Sequence, residues 1–317
     1  MNQPLVSMIT YCYNGESFLD RYFNGILCQT YPNIELIFID NGSEDGTDDL
    51  VRRFLPSLEA NGIRTEYIHF DKNQSTCRMK MLGFEKMHGE YFFGCDSDDV
   101  LHPTYVEEMA GYLMAHPEKG LVFCQLDMID EATGKRISMM KTKPAQTPKA
   151  AFVNILSAQN TIFTPISYMM SREHFLRINP KMEIYVSNYG ENYQMLLPFL
   201  YRDLQGYIEK PLGDYYVREG SYSGRMSRDP VWQTNAYKAQ EEAIRATLDQ
   251  IGVEDRAQYD RIYLRRLRRE RFYAAVASGD VKIRRECFAE LRQAGGASVQ
   301  EYLVNLLPGV YRAIKKR

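Results

Sequence analysis

Paired cysteines, long apolar runs and a basic leader are all missing from this sequence. The six cysteines, at positions 12, 28, 77, 95, 124 and 287, are scattered and form no Cys-x-x-Cys pair. A disulfide framework or zinc ribbon is therefore not expected, and a reducing, cytoplasmic compartment is favoured. The first residues show no basic segment followed by an apolar one, and no run of about 18 apolar residues occurs. We expect neither a signal peptide nor a conventional transmembrane helix.

Two loops that bind nucleotides in many proteins are also lacking. The chain has neither a Gly-Lys-Ser/Thr phosphate loop nor a Gly-x-Gly-x-x-Gly dinucleotide loop. Its composition is otherwise ordinary, since 44% of the 317 residues are hydrophobic and 25% are charged. That balance is typical of a folded protein with a sizeable core, and the length suits one large domain or two ordinary ones.

Charge is distributed unevenly along the chain. The formal net charge is −2, yet residues 256–317 contain 15 Lys and Arg against 6 Asp and Glu, a net of +9. The preceding 255 residues therefore carry −11. We predict a body of residues 1–228 and a basic helical extension of residues 229–317. Nucleic-acid binding is not expected, because the acidic body would repel phosphate.

Strand-like and helix-like segments alternate over the first 125 residues. Strands are predicted at residues 5–10, 35–39, 65–70, 91–95 and 120–124, and helices at 17–27, 48–58 (capped by Thr47), 76–88 and from Pro103. Helices between strands imply crossover connections, so we expect an α/β fold with a mostly parallel sheet flanked by helices. Ligands of such sheets bind at the carboxyl ends of the strands.

The second half of the sequence is less regular. Residues 134–170 are predicted to be strand-rich and loop-rich, 191–201 a helix and 206–217 two short strands. From about residue 231 the pattern is helical to the last residue, with breaks near Gly252, Gly279 and Gly295-Gly296. We therefore expect the extension to be helical.

Three carboxylates follow the fourth predicted strand. Asp96, Asp98 and Asp99 lie within four positions. Side chains of a strand alternate between its faces, so Asp96 and Asp98 are predicted to point the same way. Two converging carboxylates suit Mg²⁺ or Mn²⁺, which commonly shares its ligands with substrate phosphates. A solvated acidic turn is the alternative.

A second polar turn follows the second predicted strand. Residues 40–47 read Asp-Asn-Gly-Ser-Glu-Asp-Gly-Thr, and the two glycines permit tight turning. The Asp40 carboxylate can accept the N3–H of a uracil or thymine ring. A plain helix-capping turn is the alternative.

Taken together, these segments resemble the opening of the family 2 inverting glycosyltransferases. The resemblance rests on residues 6–14 (Val-Ser-Met-Ile-Thr-Tyr-Cys-Tyr-Asn), 29–31 (Gln-Thr-Tyr), 35–47, 73–78 and 89–99, which ends in Asp-Ser-Asp-Asp. It is strong over residues 5–125 and weak over 165–225. Several motifs in the same order are more specific than any one of them.

The resemblance implies a GT-A fold, a nucleoside-diphosphate sugar donor (UDP- or dTDP-sugars favoured) and a divalent cation, Mg²⁺ or Mn²⁺. In that pattern Asp98 is the principal metal ligand, and Asp96 lies near the ribose and the metal. The donor-binding positions that it implies are Tyr11, Tyr13, Asn14, Asp40, Asn41, Arg78, Asp96 and Arg218. Asn41 departs from the family pattern because it replaces a common aspartate and brings no charge.

An inverting transfer needs one general base that deprotonates the acceptor hydroxyl. The family has a Gly-Glu-Asp-like turn at that point, and the matching residues here are Gly190-Glu191-Asn192. Asn192 cannot act as a base, so we predict that Glu191 does. The alternative for Glu191 is a helix N-terminal residue stabilised by the macrodipole. Further on, residues 215–223 resemble the Tyr-Arg…Ser-x-Ser segment of the family, with Arg218 near the diphosphate.

The basic extension allows two interpretations. One face of the predicted helix 259–276 is apolar, and residues 302–317 combine apolar side chains with a Lys-Lys-Arg end. A basic amphipathic helix can lie on an anionic membrane, which would place a cytoplasmic enzyme at the inner face of the cell membrane. The favoured alternative is a helical appendage whose arginines pair with the acidic body.

The sequence therefore predicts a metal-dependent, inverting glycosyltransferase of cell-surface polysaccharide biosynthesis. Its acceptor would be a hydroxyl of a glycan or of a lipid-linked oligosaccharide. Asn41 and Asn192 prompt the alternative of a non-catalytic nucleotide-sugar or glycan-binding protein on the same fold.

Overall fold

A computed structural model describes residues 3–187, 189–218 and 229–315. The strands are β1 Val6–Cys12, β2 Ile34–Asp40, β3 Arg64–His69, β4 Tyr91–Gly94, β5 Val100–Leu101, β6 Leu121–Asp130, β7 Arg136–Met140, β8 Tyr168–Ser171 and β9 Gln205–Val217. The helices before residue 202 are α1 Leu19–Leu27, α2 Thr47–Ala60, α3 Thr76–Lys86, α4 Tyr105–Ala115, α5 Pro148–Leu156, α6 Arg172–Ile178 and α7 Glu191–Tyr201. Those of the extension are α8 Pro230–Ile251, α9 Arg256–Ser278, α10 Val281–Gln293, α11 Val299–Leu306 and α12 Pro308–Lys315.

All nine strands belong to one sheet in the order β3-β2-β1-β4-β8-β6-β9-β5, with β7 paired to β6. The α/β class is confirmed, and the sheet is more mixed than expected. Strands β1 to β4 pair in parallel, as do β6 and β9, whereas β8 runs antiparallel to both β4 and β6. Strand β8 therefore joins a parallel half to a mixed half, so the carboxyl ends of β1, β2 and β4 share one edge.

The central strands are apolar on both faces because helices cover both. Every residue of β2 is buried, and so is nearly every residue of β1. Helices α1, α2 and α4 contribute to the apolar cluster on one face. Helices α3, α5 and α7 contribute to the cluster on the other face, together with Ile244 and Leu248 of α8 and Tyr259, Tyr263 and Leu267 of α9. The extension thus shares a core with the sheet.

The far part of the extension has a core of its own. Phe272 at the end of α9 packs with Phe288 of α10 and Val304 of α11 in a third apolar cluster. The predicted breaks at Gly252 and Gly279 are confirmed, since both residues end helices in the left-handed conformation, with φ of 63° and 81°. Among the described residues, no helix is both long enough and apolar enough to span a bilayer.

Some local predictions were wrong. Residues 134–170 contain helix α5, whose start at Pro148 with Thr147 as its cap is a helix signal that the strand-rich prediction overlooked. Residues 205–217 form one strand, because two irregularities in its pairing with β6 let it bend without ending. Thr47 is not a cap but the first residue of α2, and α4 begins at Tyr105, after Pro103.

Candidate active site at the carboxyl edge of the sheet

The three carboxylates that follow β4 lie in a turn. Strand β4 ends at Gly94, and the Asp99 amide donates to the Asp96 carbonyl oxygen over 3.1 Å. Asp96 and Asp98 therefore lie beyond the strand, so the turn and not strand alternation sets their directions, and their common orientation stays a prediction. Asp96 and Asp98 stay partly exposed, whereas Asp99 is buried.

Asp99 is buried and contacts the backbone of β9. Its Oδ1 accepts from the Tyr216 amide of β9 over 3.4 Å, while its buried Oδ2 has no hydrogen-bond partner among the described residues. Burial, followed by the charges of Asp96 and Asp98, raises the pKa of Asp99 well above its usual range. Its position inside the protein separates Asp99 from the two carboxylates that face the edge of the sheet.

Asp96 lies in a negative environment that suits a cation. Burial, together with the charge of Asp98, raises the pKa of Asp96 to about 7, against the opposing charge of Lys80. A divalent cation would relieve the cost of keeping both carboxylates ionised side by side. Oxygen ligands of this kind are those that Mg²⁺ and Mn²⁺ prefer, so the residues present fit such an ion.

Two arginines hold the turn that carries Asp98. Arg218, at the end of β9, donates to Asp98 Oδ2 over 2.9 Å, and its guanidinium lies 4.0 Å from the centre of the Phe18 ring. Arg21 of α1 donates to the Asp98 carbonyl oxygen over 2.9 Å and pairs with both carboxylate oxygens of Glu131. The sequence prediction identified Arg218 and missed Arg21, since nothing in the motif around Arg21 indicates its partner 77 positions away.

Several hydrogen bonds join the loop after β1 to the turn after β2. Asn14, with φ of 52°, donates its amide to Ser43 Oγ and accepts from the Glu44 amide with its side chain. The Gly15 amide donates to Thr47 Oγ1 over 2.8 Å. Asn14, predicted to bind the donor, is therefore already engaged in fixing these two loops.

Asp40 and Asn41 are likewise engaged inside the protein. Asp40 is fully buried, and its carboxylate accepts from Ser43 and lies 2.9 Å from His69 Nδ1. The Asn41 side chain forms two hydrogen bonds with the backbone of Gln74, of 2.8 and 3.0 Å. These contacts shape the turn, and direct contact of either residue with a base stays a prediction.

The two tyrosines at the end of β1 differ in their surroundings. Burial, with the nearby Tyr168, Asp96 and Glu191, raises the pKa of Tyr11 well above its usual range. Tyr11 therefore faces the acidic centre of the site. Tyr13 is half exposed at the edge, where an aromatic ring is available to a ligand.

Helix α3 brings to the site a cation that the sequence prediction did not name. Arg78, the predicted one, is exposed and donates to the Gln74 side chain over 2.9 Å, and its contact with the donor stays a prediction. Lys80 is buried, and its charge acts on Asp96. The signal was present in the sequence, because position 80 shares a helix face with Cys77 and Phe84.

The predicted base lies within this same site. Helix α7 begins at Glu191, after Gly190, whose φ of 91° requires glycine. The Glu191 charge makes a minor contribution to the raised pKa of Asp96, a residue 95 positions earlier, and also raises that of Tyr168. The role of Glu191 as the base stays a prediction.

Asn192, next to Glu191, is held from two sides. Its Oδ1 accepts from Tyr168 Oη over 3.1 Å and from Lys80 Nζ over 3.4 Å. The Asn192 side chain thus links the start of α7 to β8 and α3. Of the predicted 215–223 segment, residues 219–223 lie outside the described residues.

A second group of potential metal ligands lies on β6 and β9 beside β5. One ligand atom each of His102, Asp127 and Asp214 lies within 4.8 Å of the others. All three side chains already have partners. Asp214 pairs with His102 at 2.9 Å, and Asp127 pairs with Arg136 of β7 at 2.7 Å. The group behaves as an ion-pair network that joins the strands.

Comparison with protein families gives one match over the region that holds most of the site. The family described as Glycosyl transferase family 2 matches residues 7–178, slightly more than half of the chain. The match includes both polar turns and Lys80, and it ends before Glu191.

Proteins with similar sequences carry related names. An uncharacterized glycosyltransferase of Haemophilus influenzae is 26% identical over 243 residues, which are 75% of this chain and 89% of that protein. The putative glycosyltransferase EpsH of Bacillus subtilis is 31% identical over 160 residues, 49% of this chain and 44% of EpsH. The putative teichuronic acid biosynthesis glycosyltransferase TuaG of Bacillus subtilis is 28% identical over 112 residues, 35% of this chain and 43% of TuaG. The chain thus spans less than half of the length of these two Bacillus proteins.

Solved structures resemble the chain over nearly its whole length. S. aureus TarS 1-349 in complex with UDP-GlcNAc has a TM-score of 0.68 at 16% identity, with 98% of this chain and 87% of that chain covered. The mannosyltransferase PcManGT from Pyrobaculum calidifontis, in complex with GDP-Man and Mn²⁺, has a TM-score of 0.55 at 18% identity, with 99% and 81% covered. At these identities the likeness concerns the fold alone.

Proposed function

The chain belongs to glycosyltransferase family 2 and has the GT-A fold, and from that premise we propose a specific reaction. The enzyme transfers a sugar from a nucleoside-diphosphate sugar to a hydroxyl of a glycan or lipid-linked acceptor, with inversion. The observation that carries this proposal is that the turn carrying Glu191 borders the acidic turn through Lys80: Asn192 accepts from Lys80 Nζ, and the charge of Lys80 acts on Asp96. A transfer between two substrates needs groups for the donor and for the acceptor within reach of one another.

On the donor side, Asp98 and Asp96 would hold a divalent cation, Mg²⁺ or Mn²⁺. Such an ion would neutralise charge on the leaving diphosphate. Lys80 and Arg218 bring two fixed positive charges close to the same carboxylates, and both suit phosphate oxygens. That the mannosyltransferase PcManGT was solved with Mn²⁺ supports a divalent ion in a chain with this fold.

A uridine or thymidine nucleotide is the favoured donor. The exposed ring of Tyr13 offers a stacking surface next to the turn of residues 40–47. TarS, whose fold is similar, was solved with UDP-GlcNAc, and this supports a uridine donor for the present chain. Tyr11, Asn14 and Asp40, which the family resemblance predicts to hold the nucleoside, would then complete the binding site for this donor.

On the acceptor side, Glu191 would take the proton of the attacking hydroxyl. It is the ionisable residue of the Gly190–Asn192 turn, and Asn192 is held by Tyr168 and Lys80. A carboxylate is a sufficient base when the acceptor hydroxyl loses its proton as the new bond forms.

An acceptor from surface polysaccharide assembly is consistent with the names of the relatives. TuaG is named for teichuronic acid biosynthesis. We propose that this chain acts on a comparable glycan or lipid-linked chain.

The test combines donor binding with turnover. Purified protein is melted with Mn²⁺ and each of several nucleotide sugars, and the preferred donor is expected to raise the melting temperature by several degrees at saturating concentration. We expect Asp98→Asn to lose this shift. Glu191→Gln should keep the shift and lose about 10²- to 10⁴-fold in transfer rate, since it lacks only the proton acceptor.

Matched controls make the same chemical changes on exposed helices. Asp20→Asn on α1 and Glu173→Gln on α6 are expected to retain both donor binding and transfer. Full transfer by Glu191→Gln would refute the assignment of the base. A donor-induced shift that persists in Asp98→Asn would refute the metal site.

A further inference from the structure

The end of the extension carries an exposed apolar surface. Six of the fourteen large hydrophobic side chains that are exposed in the described part of the chain lie within residues 299–310. These six, called the apolar stripe below, are Val299, Tyr302, Leu303, Leu306, Leu307 and Val310, with 43 to 78% of each exposed. Such a concentration marks an interaction surface, because scattered exposed apolar residues are ordinary whereas contiguous ones are not.

The stripe is exposed although its helix is firmly attached. On the inner side of α11, Glu301 is buried, accepts from the Ser298 amide over 2.6 Å and pairs with Arg269 of α9 at 3.0 Å. Val304 on the same side belongs to the third apolar cluster. The inner face is therefore occupied by the protein, and the outer face is left to another partner.

The sequence that contains and follows the stripe is predominantly basic. Between residues 299 and 317 the sequence has a single acidic residue, Glu301, which is buried and paired with Arg269. The same stretch has four basic residues, Arg312, Lys315, Lys316 and Arg317. An apolar stripe followed by a run of net positive charge complements a surface that is both apolar and negative.

We propose that the apolar stripe and the basic residues that follow it dock the enzyme on an anionic lipid bilayer, with α11 and α12 lying in the interface. The leucines and Val310 would enter the boundary between headgroups and acyl chains, and the basic residues would contact the anionic headgroups. A second copy of the chain suits this surface less well, because two such segments would bring like charges together. The inference is independent of the proposed transfer reaction, since lipid binding needs no donor or acceptor.

The experiment is co-sedimentation of the whole protein with lipid vesicles. Vesicles of phosphatidylcholine alone are compared with vesicles of equal parts phosphatidylcholine and phosphatidylglycerol. We expect at least about tenfold stronger binding to the anionic vesicles and a loss of that difference at high salt. Each basic residue near the surface is worth about fivefold, so Lys315→Gln with Lys316→Gln should weaken binding by roughly 25-fold.

Variants of the stripe separate its contribution from that of charge. Leu303→Glu with Leu306→Glu is expected to lower binding by at least about tenfold. The matched control is Ile137→Glu on β7, whose side chain is as exposed as that of Leu303 but lies in the sheet; its binding should stay within about twofold of wild type. Both lysine substitutions exchange one polar residue for another near the end of the chain, so they test the proposal even where the leucine variant folds poorly.

Three results would overturn the proposal. The first is equal binding to neutral and anionic vesicles, and the second is binding that neither set of variants changes. The third is a wild-type dimer, seen by light scattering, that Leu303→Glu with Leu306→Glu dissociates while vesicle binding stays the same.

Discussion

At the scale of single residues, the face of a helix decides which cation is buried beside Asp96. Lys80 shares the buried face of α3 with Cys77 and Phe84, whereas Arg78 faces outward. The sequence prediction named Arg78 from the family resemblance and did not consider the helical face on which Lys80 lies. Chemical type and position have to be considered together.

We expect replacement of Lys80 to impair the enzyme more than replacement of Arg78. Lys80→Met keeps the apolar stem and removes the charge that acts on Asp96. A charge-assisted interaction is worth about 1.5–3 kcal/mol, which corresponds to roughly 10- to 150-fold in kcat/KM. Steady-state kinetics of Lys80→Met and Arg78→Met measure both effects. An equal or larger loss for Arg78→Met would show that the exposed arginine is the one that meets the donor.

At the scale of elements, a buried carboxylate fixes the start of β4 against β1 and β2. Glu35 of β2 accepts on Oε1 from Ser7 Oγ, the His88 amide and the Gly89 amide, over 2.5, 2.6 and 3.1 Å. Burial by itself raises the pKa of Glu35, but these three hydrogen bonds outweigh it, so the pKa is lowered. These hydrogen bonds hold the start of β4 beside β1 and β2. The position of the acidic turn that follows β4 depends on them.

Glu35→Gln is expected to destabilise the fold in a pH-dependent way. The folded pKa lies below the unfolded value of about 4.3, so the carboxylate contributes stability above that pH and loses it as the pH falls through the folded pKa. We expect a loss of about 1–3 kcal/mol at pH 7 and a smaller one in acid, measured by urea unfolding. Glu59→Gln, on the exposed side of α2, is the control and should change little. A loss of the same size at both pH values would contradict the ionic origin of the effect.

At the scale of the whole molecule, the extension is part of the core around the active site. A side chain at Gly190 would meet Cβ of Ala243 on α8 at 3.1 Å, so α8 lies against the turn that presents Glu191. Arg266 of α9 donates to the Leu156 carbonyl oxygen and to Tyr193 Oη, each over 3.0 Å. The arginines of the extension that form ion pairs do so with acids of its own helices, such as Glu241 and Glu290.

We therefore expect a fragment of residues 1–228 to fail to fold by itself. It would expose the apolar surface that Ile244, Leu248 and Tyr263 cover, and we expect aggregation or the absence of a cooperative melting transition. A fragment of residues 1–295, which lacks only α11 and α12, should melt cooperatively, within several degrees of the whole chain. Calorimetry of both fragments tests this. A cooperative transition for residues 1–228 would show instead that the predicted boundary at residue 228 separates two independent units.

The sequence by itself determined the local and repetitive features of this protein. Alternating apolar segments predicted the α/β class and five of the six strands that begin before residue 125, missing only the two-residue β5, and glycines predicted the ends of α8 and α9. Consecutive residues encode such features because periodicity and turn chemistry act over a few positions. The order of motifs likewise sufficed for the family, since short polar segments at strand ends carry its pattern.

Only the tertiary structure decided which side chains share the site. It placed Asn192 within hydrogen-bond distance of Lys80 and Tyr168, turned Lys80 inward, and buried Asp40 within its own turn. It also inserted β8 antiparallel between β4 and β6, which no local pattern predicts. The physical reason is that strand pairing and burial depend on contacts between distant segments, whose energies no single stretch of sequence contains.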